Sequence, residues 1–248
     1  MSSRQFRATP WACALLLAPT FAVQAQVSNG GFESGLAGWA VLGDASTQAG
    51  APFGGQQLWL TTASTLYQDD FPAGPGARNR SGTAAVDVGV PGGVETFAGL
   101  PIGAIDPNPA SGIFAYEGSV ARQQFVAAAG DRFSFAWDLG TGDTQGDLAF
   151  VVIDGALSVL ANATQASQPG TLGNTWRTGF STFSTVLATG GSHTVAFGVV
   201  DVGDFSMTST LAIDGVQIGD VAVVPEPSGP LLALASAALL AGGVRRRS

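Results

Sequence analysis

The side chains in this sequence that could do chemistry are almost all acids, and few are spaced to work together. His193 is the single histidine. It follows the turn-like run Gly190-Gly191-Ser192, and no Gly-x-Ser-x-Gly elbow supplies a nucleophile for it, so it reads as a turn residue rather than a base. Glycoside hydrolysis needs two carboxyl groups flanking one bond. Asp69 and Asp70 are adjacent and point to opposite faces of an extended chain, and no Glu-x-Asp-x-x-Glu run occurs. Asp143 with Asp147, and Asp201 with Asp204, are spaced as loop acids that either favour turns or hold a cation. No catalytic residue is assigned. Binding chemistry is left to the aromatic rings Trp39, Trp59, Tyr67, Tyr116 and Trp176. Of these, Trp59 and Trp176 are the ligand-binding candidates, the alternative being that both are sandwich core.

Charge narrows the partners. The chain has 248 residues, with 10 Lys+Arg against 18 Asp+Glu, and every one of the ten is arginine. Arg4 and Arg7 precede the mostly apolar stretch from Trp11 to Val23, and Val23-Gln24-Ala25 fits a small-residue cleavage rule, so residues 1–25 are expected to be a signal peptide. Cys13, the single cysteine, lies inside it and leaves the exported body without thiol, disulfide or thiolate metal site. Arg4, Arg7 and the C-terminal Arg245, Arg246 and Arg247 fall outside that body. It keeps five arginines against 17 acids, a net charge of −12. Nucleic acid and anionic lipid are therefore poor partners. Calcium or neutral polysaccharide fits the sign, and the same charge also serves plain solubility.

The elements that must position these residues are strands. With 35 Gly and 13 Pro among short alternating apolar stretches, the body reads as all-β with tight turns. Phe133, Phe135, Trp137 and Leu139 share one face of a strand over residues 131–139. Leu148 to Ile153 is a continuous apolar run closed by the hairpin signal Asp154-Gly155, with a return strand over 156–160. Val195, Phe197 and Val199 alternate along 193–200. Leu211 and Ile213 open a last strand whose alternation slips at Asp214-Gly215, where Val216 and Ile218 take over the apolar face, which predicts a bulge. Strands are also expected over 57–67 and 120–127. The Gly- and Pro-rich region 72–111 is loop-heavy, with 83–88 and 94–100 as candidate edge strands. Eight or more antiparallel strands in about 200 residues predict a two-sheet jelly-roll sandwich over residues 26–222.

Asn29-Gly30-Gly31-Phe32-Glu33, followed by Gly38-Trp39, resembles the opening strand of carbohydrate-binding jelly-roll modules, and Thr210-Leu211-Ala212-Ile213-Asp214-Gly215-Val216 resembles the final strand with which that opening pairs. The resemblance implies a structural calcium site in which Glu33 and Asp214 supply carboxylates and backbone carbonyls near Asn29 complete the shell. Gly215 stands where an acidic or amide residue is usual, one ligand fewer. Calcium favours hard oxygens, and two carboxylates held together repel without a cation. The competing reading has both acids capping turns.

The C-terminus closes with Val224-Pro225-Glu226-Pro227-Ser228, an uncharged run over residues 229–244, and Arg245, Arg246 and Arg247. Sixteen residues give roughly 24 Å of helix, marginal for a hydrocarbon core of about 30 Å. The arginines would hold the C-terminus in the cytoplasm, and the prolines keep the Glu226 segment extended and accessible. These three parts in this order resemble the PEP-CTERM sorting signal of Gram-negative bacteria, here residues 223–248. The resemblance implies a short transmembrane helix that engages the membrane transiently. It also implies cleavage by an exosortase-type transpeptidase and release to the cell surface or exopolysaccharide matrix. A plain C-terminal anchor is the alternative. The expected protein is a non-enzymatic exported matrix or surface component that contacts polysaccharide; the rivals are a secreted glycan-active hydrolase with a jelly-roll fold and a structural filler without ligand.

Overall fold

The computed structural model describes residues 26–50, 52–66, 78–143, 146–170 and 175–219. The signal peptide, Tyr67, Asp69, Asp70, the Val224–Ser228 motif, the apolar C-terminal run and the terminal arginines lie outside the described residues. Among the described residues no helix is long and apolar enough to cross a membrane.

The body is all-β, built from two antiparallel sheets. Its strands are β1 (Ala40–Leu42), β2 (Asp44–Ala49), β3 (Gln56–Thr61), β4 (Val86–Asp87), β5 (Ala115–Ala127), β6 (Arg132–Thr141) and β7 (Leu148–Ile153). They continue with β8 (Ala156–Asn162), β9 (Gln168–Pro169), β10 (Trp176–Arg177), β11 (Ser181–Val186), β12 (Gly191–Val202) and β13 (Thr210–Ile218). The first sheet runs β1-β5-β12-β7-β8, with β4 beside β5; the second runs β2-β3-β13-β6-β10-β9, with β11 also on β6. The chain crosses repeatedly from one sheet to the other, in keeping with a jelly-roll.

Alternation fills the space between the sheets. Phe133, Phe135 and Leu139 of β6 meet Val195, Phe197 and Val199 of β12, with Leu58 and Leu60 of β3 and Leu211 and Ile213 of β13 completing the layer. Trp137 packs against the same core, and Trp39 lies between Phe32 and Phe197 at centroid distances of 5.2 and 5.6 Å.

The continuous apolar run of β7 has its own cause, because the first sheet is buried on both faces. Ala149 and Val151 face the second sheet, while Leu148, Phe150 and Val152 face a separate cluster made by Val88, Val94, Ala98, Leu100 and Ile105. The segment expected as an edge strand over 94–100 is instead a short helix, α1 (Val94–Ala98), ended by Gly99 in the left-handed conformation. Its physical reason is that Val94 and Ala98, four residues apart, place their side chains together on this second core. Buried Glu95 ties the covering loop down by accepting from Gly103 N and Ile105 N, both at 2.7 Å.

The expected opening strand is also corrected. Residues 28–31 and 33–38 form turns, and the meeting with the last strand is made by one bond, Val216 N donating to Gly30 O at 3.0 Å. Gly30 is required because an added Cβ would overlap the Val216 carbonyl. The bulge falls where the alternation slips, the β13–β6 register shifting between Asp214 and Gln217.

Candidate functional site

The outward face of the second sheet collects the polar and aromatic groups least explained by folding. Register places Trp59 of β3 opposite Ala212 of β13, and Ala212 opposite Asp138 of β6, in one row across three strands. Leu58, Leu60, Leu211, Ile213 and Leu139 point to the core, so Trp59, Ala212 and Asp138 point away from it. The next outward positions of β3 and β13 are Gln57 and Asp214. Trp59 packs with Ala212 and with half-buried Phe180. The guanidinium of Arg80 lies over the Trp59 ring and that of Arg177 over the Phe180 ring, each 5.5 Å from the centroid. Arg177 also meets Asp138 at 2.6 Å, and Thr178 Oγ1 donates to the same carboxylate at 3.0 Å. Burial pushes Asp138 above the usual carboxylate range against the pull of Arg177 and of the Thr178 and Gly179 hydrogen bonds.

Apart from the Arg177–Asp138 pair, the buried polar atoms of this face without a hydrogen-bond partner among the described residues include Trp59 Nε1, Gln57 Oε1 and Asp214 Oδ2. All of these atoms are enclosed, with Gln57 2% and Asp214 1% exposed, so what this face offers a ligand is exposed Arg80 and half-buried Phe180. Trp59 is 8% exposed. Trp176, the other ligand-binding candidate, is 45% exposed but pairs with Thr141, an inward position of β6, so it faces away from Trp59. The structure does not bring the two tryptophans together, and the residue that joins Trp59 from β10 is Arg177. Sequence reading missed Arg80, Arg177, Phe180, Gln57 and Asp138. The one available signal was the scarcity of arginine, since only five serve the whole body.

Glu33 and Asp214 do approach each other. Burial pushes Asp214 up to about 6, opposed by hydrogen bonds from Gly215 and Phe53 and reinforced by the Glu33 charge. Asp214 is 1% exposed; its Oδ1 accepts from Gly215 N at 2.7 Å, while Oδ2 is unpartnered. Glu33 is exposed and accepts from Gln56 N at 3.1 Å. The carboxylate pair fits a hard cation. The carbonyl of Asn29 fits less well, because it already accepts from Phe32 N at 3.1 Å and Trp39 Nε1 at 3.3 Å. Among the described residues no three acidic, histidine or cysteine side chains gather to hold a metal.

A second acidic group lies where β7 begins and β12 ends. Asp147 accepts from Ser209 Oγ at 2.7 Å and Val202 N at 3.1 Å, and it meets Asp201, which also meets Thr62. Burial pushes Asp147 up to about 7, with Asp143 adding to the rise. Asp201 is driven well above the usual range, first by burial and then by Asp147 and Glu117. Each is 1% exposed, so a polymer cannot reach the pair. His193, also buried, is held between Asp154 Oδ2 at 2.6 Å and Thr189 O at 3.2 Å and stacks on Phe125. Tyr116 stacks with Phe205 at 4.7 Å.

No family model and no curated protein matches this sequence. Among solved structures, the carbohydrate-binding module TmCBM61 in complex with beta-1,4-galactotriose is similar over 79% of this chain and 98% of that one, at 12% identity and TM-score 0.40. A non-crystalline cellulose specific carbohydrate-binding module, CBM28, is similar over 78% of this chain and 94% of its own, at 12% identity and TM-score 0.31. The enzymatically active domain of bacteriophage CBA120 tailspike protein 4 is similar over 78% of this chain and 21% of its own, at 14% identity and TM-score 0.37. Overlaps this loose leave function to the residues of this chain.

Proposed function

We propose that this protein is a non-enzymatic, exported β-sandwich that binds polysaccharide on the outward face of its second sheet. Delivery follows the exosortase route implied by Val224-Pro225-Glu226-Pro227-Ser228 and Arg245, Arg246 and Arg247, ending at the cell surface or in the extracellular matrix. The observation that carries the binding reading is the accessible aromatic and cationic edge of this face, where exposed Arg80 lies over Trp59 and Arg177 over half-buried Phe180. An aromatic ring presents an apolar plane to a sugar, and guanidinium N–H groups donate to its oxygens. Burial of the Asp147 and Asp201 pair favours binding over hydrolysis. Calcium at Glu33 and Asp214 belongs to the same proposal, as a brace between the opening turns and the last strand.

Affinity electrophoresis through gels containing different polysaccharides tests the reading. Retardation of the native chain should be lost in Phe180→Leu, which removes the half-buried ring beside Trp59 while keeping an apolar side chain, and should persist in Trp176→Ala. A native chain that no polymer retards, or retardation that survives Phe180→Leu, would overturn the assignment to this face.

A further inference from the structure

We propose that the sugar held by this face carries a carboxylate, and that the Arg80 guanidinium receives it. The inference rests on the polysaccharide-binding reading of the second sheet. Cations are scarce in this body, with five arginines against 17 acids, yet two of the five lie over one aromatic cluster, Arg80 on Trp59 and Arg177 on Phe180. The two are not equivalent. Arg177 is committed to Asp138 at 2.6 Å. Arg80 has no carboxylate partner for its guanidinium among the described residues, and its side chain is exposed.

The backbone beneath Arg80 is nevertheless fixed. Buried Asp44 accepts from Arg80 N at 3.0 and 3.1 Å, from Ser81 N at 2.7 Å and from the Thr61 hydroxyl. That carboxylate is used up in holding the loop, so Arg80 is presented on a braced segment with its planar fork open to solvent. A fork of N–H groups matches a carboxylate in a bidentate way that a neutral hydroxyl does not. Asp44 and Asp138 are spent on partners within the fold, and screening over about 8–10 Å at moderate salt weakens the acids elsewhere on the body, so direct contact at the guanidinium decides.

Polygalacturonate and its carboxyl-reduced, neutral counterpart are the probes, titrated against the exported chain by calorimetry. The native protein should bind polygalacturonate at least about tenfold more tightly than the reduced polymer, the worth of one charge-assisted pair, and the gap should narrow as salt rises. Arg80→Gln should bring polygalacturonate down to the level of the reduced polymer with an unchanged melting temperature, and Arg80→Lys should restore only part of the gap. Arg122→Gln, which removes a guanidinium bound to the Phe97 carbonyl on the other sheet, should keep it. Equal binding of both polymers, or a gap that persists in Arg80→Gln, overturns the inference and leaves the polysaccharide reading standing. Binding of neither polymer overturns the inference; a failure to bind any neutral polysaccharide as well overturns both.

Discussion

Lowering the pH from 8 to 5 should stabilise this protein, and replacing Asp201 by Asn should remove much of the gain. Asp147 and Asp201 are side by side, each 1% exposed, with Asp143 and Glu117 raising the pair further. Two buried carboxylates in contact do not both ionise cheaply, so the folded chain retains a proton that the unfolded chain releases. Asp147, pushed up to about 7, has a folded value above its unfolded one. Its contribution is complete below about pH 4 and is lost as the pH rises through about 7. Within that window each such group changes stability by about 1.4 kcal/mol per pH unit, or roughly 3–6 °C per pH unit in melting temperature for a domain of this size. Asp214, pushed up to about 6, and Asp138, also raised, act in the same direction.

Asn at position 201 carries a permanent N–H donor in place of the acid proton. Its melting temperature should rise at pH 8 and change little at pH 5, flattening the pH profile by about one group's slope. Thermal unfolding followed by circular dichroism at constant ionic strength, with chelator present to keep metal off Asp214, measures this. A native melting temperature that is flat or rising between pH 5 and 8 would refute the reasoning, as would an Asp201→Asn slope equal to the native one.

Calcium, if held by Glu33 and Asp214, stabilises the fold by linkage worth about 2.7 kcal/mol at a concentration one hundred times its Kd. Excess chelator should lower the melting temperature by several degrees at pH 7.5, and Glu33→Gln should be insensitive to chelator; identical native curves with and without chelator exclude the site. Gly30→Ala should cost more than about 2 kcal/mol by overlapping the Val216 carbonyl, whereas Gly31→Ala, whose nearest contact would be 4.0 Å away at Glu33 Cγ, should be near neutral. Denaturant unfolding of the two variants separates them, and equal losses would show that the Gly30 approach is not tight. For the tail, intact-mass measurement of the surface form should find residues 231–248 missing; a C-terminus ending in Arg247-Ser248 would make the segment a permanent anchor.

Much of the sandwich was legible because strands write their alternation into the chain. Leu148 to Ile153 and the Asp154-Gly155 turn fall where periodicity puts them, with Asp154 and Gly155 both at positive φ as a tight hairpin requires. The bulge at Asp214 was visible as a slip of one residue in the apolar face. The short helix over 94–98 was not, because four apolar residues in seven suit a strand or a single helical turn equally well. Only the presence of a second core on the outside of the first sheet decides between them.

The proposed binding face was illegible for a stronger reason. Its members come from residues 57–59, 80, 138, 177–180 and 212–214, and nothing within any one of these stretches shows that they meet. Alternation says that Trp59 opposes Leu58 and Leu60 in direction, yet it does not say which residues of β13 and β6 lie in the same row. The case of Trp176 and Arg177 shows how much turns on register. Trp176 pairs with Thr141 and Arg177 with Gly140, which sends the tryptophan inward and the arginine out beside Asp138. A slip of one residue between β10 and β6 would exchange them, placing two tryptophans on the outward face and leaving Asp138 buried without its cation. The 2.6 Å bond between Arg177 and Asp138 therefore opposes that slip as well as positioning Arg177, and it fixes which ring the outward face of the second sheet presents.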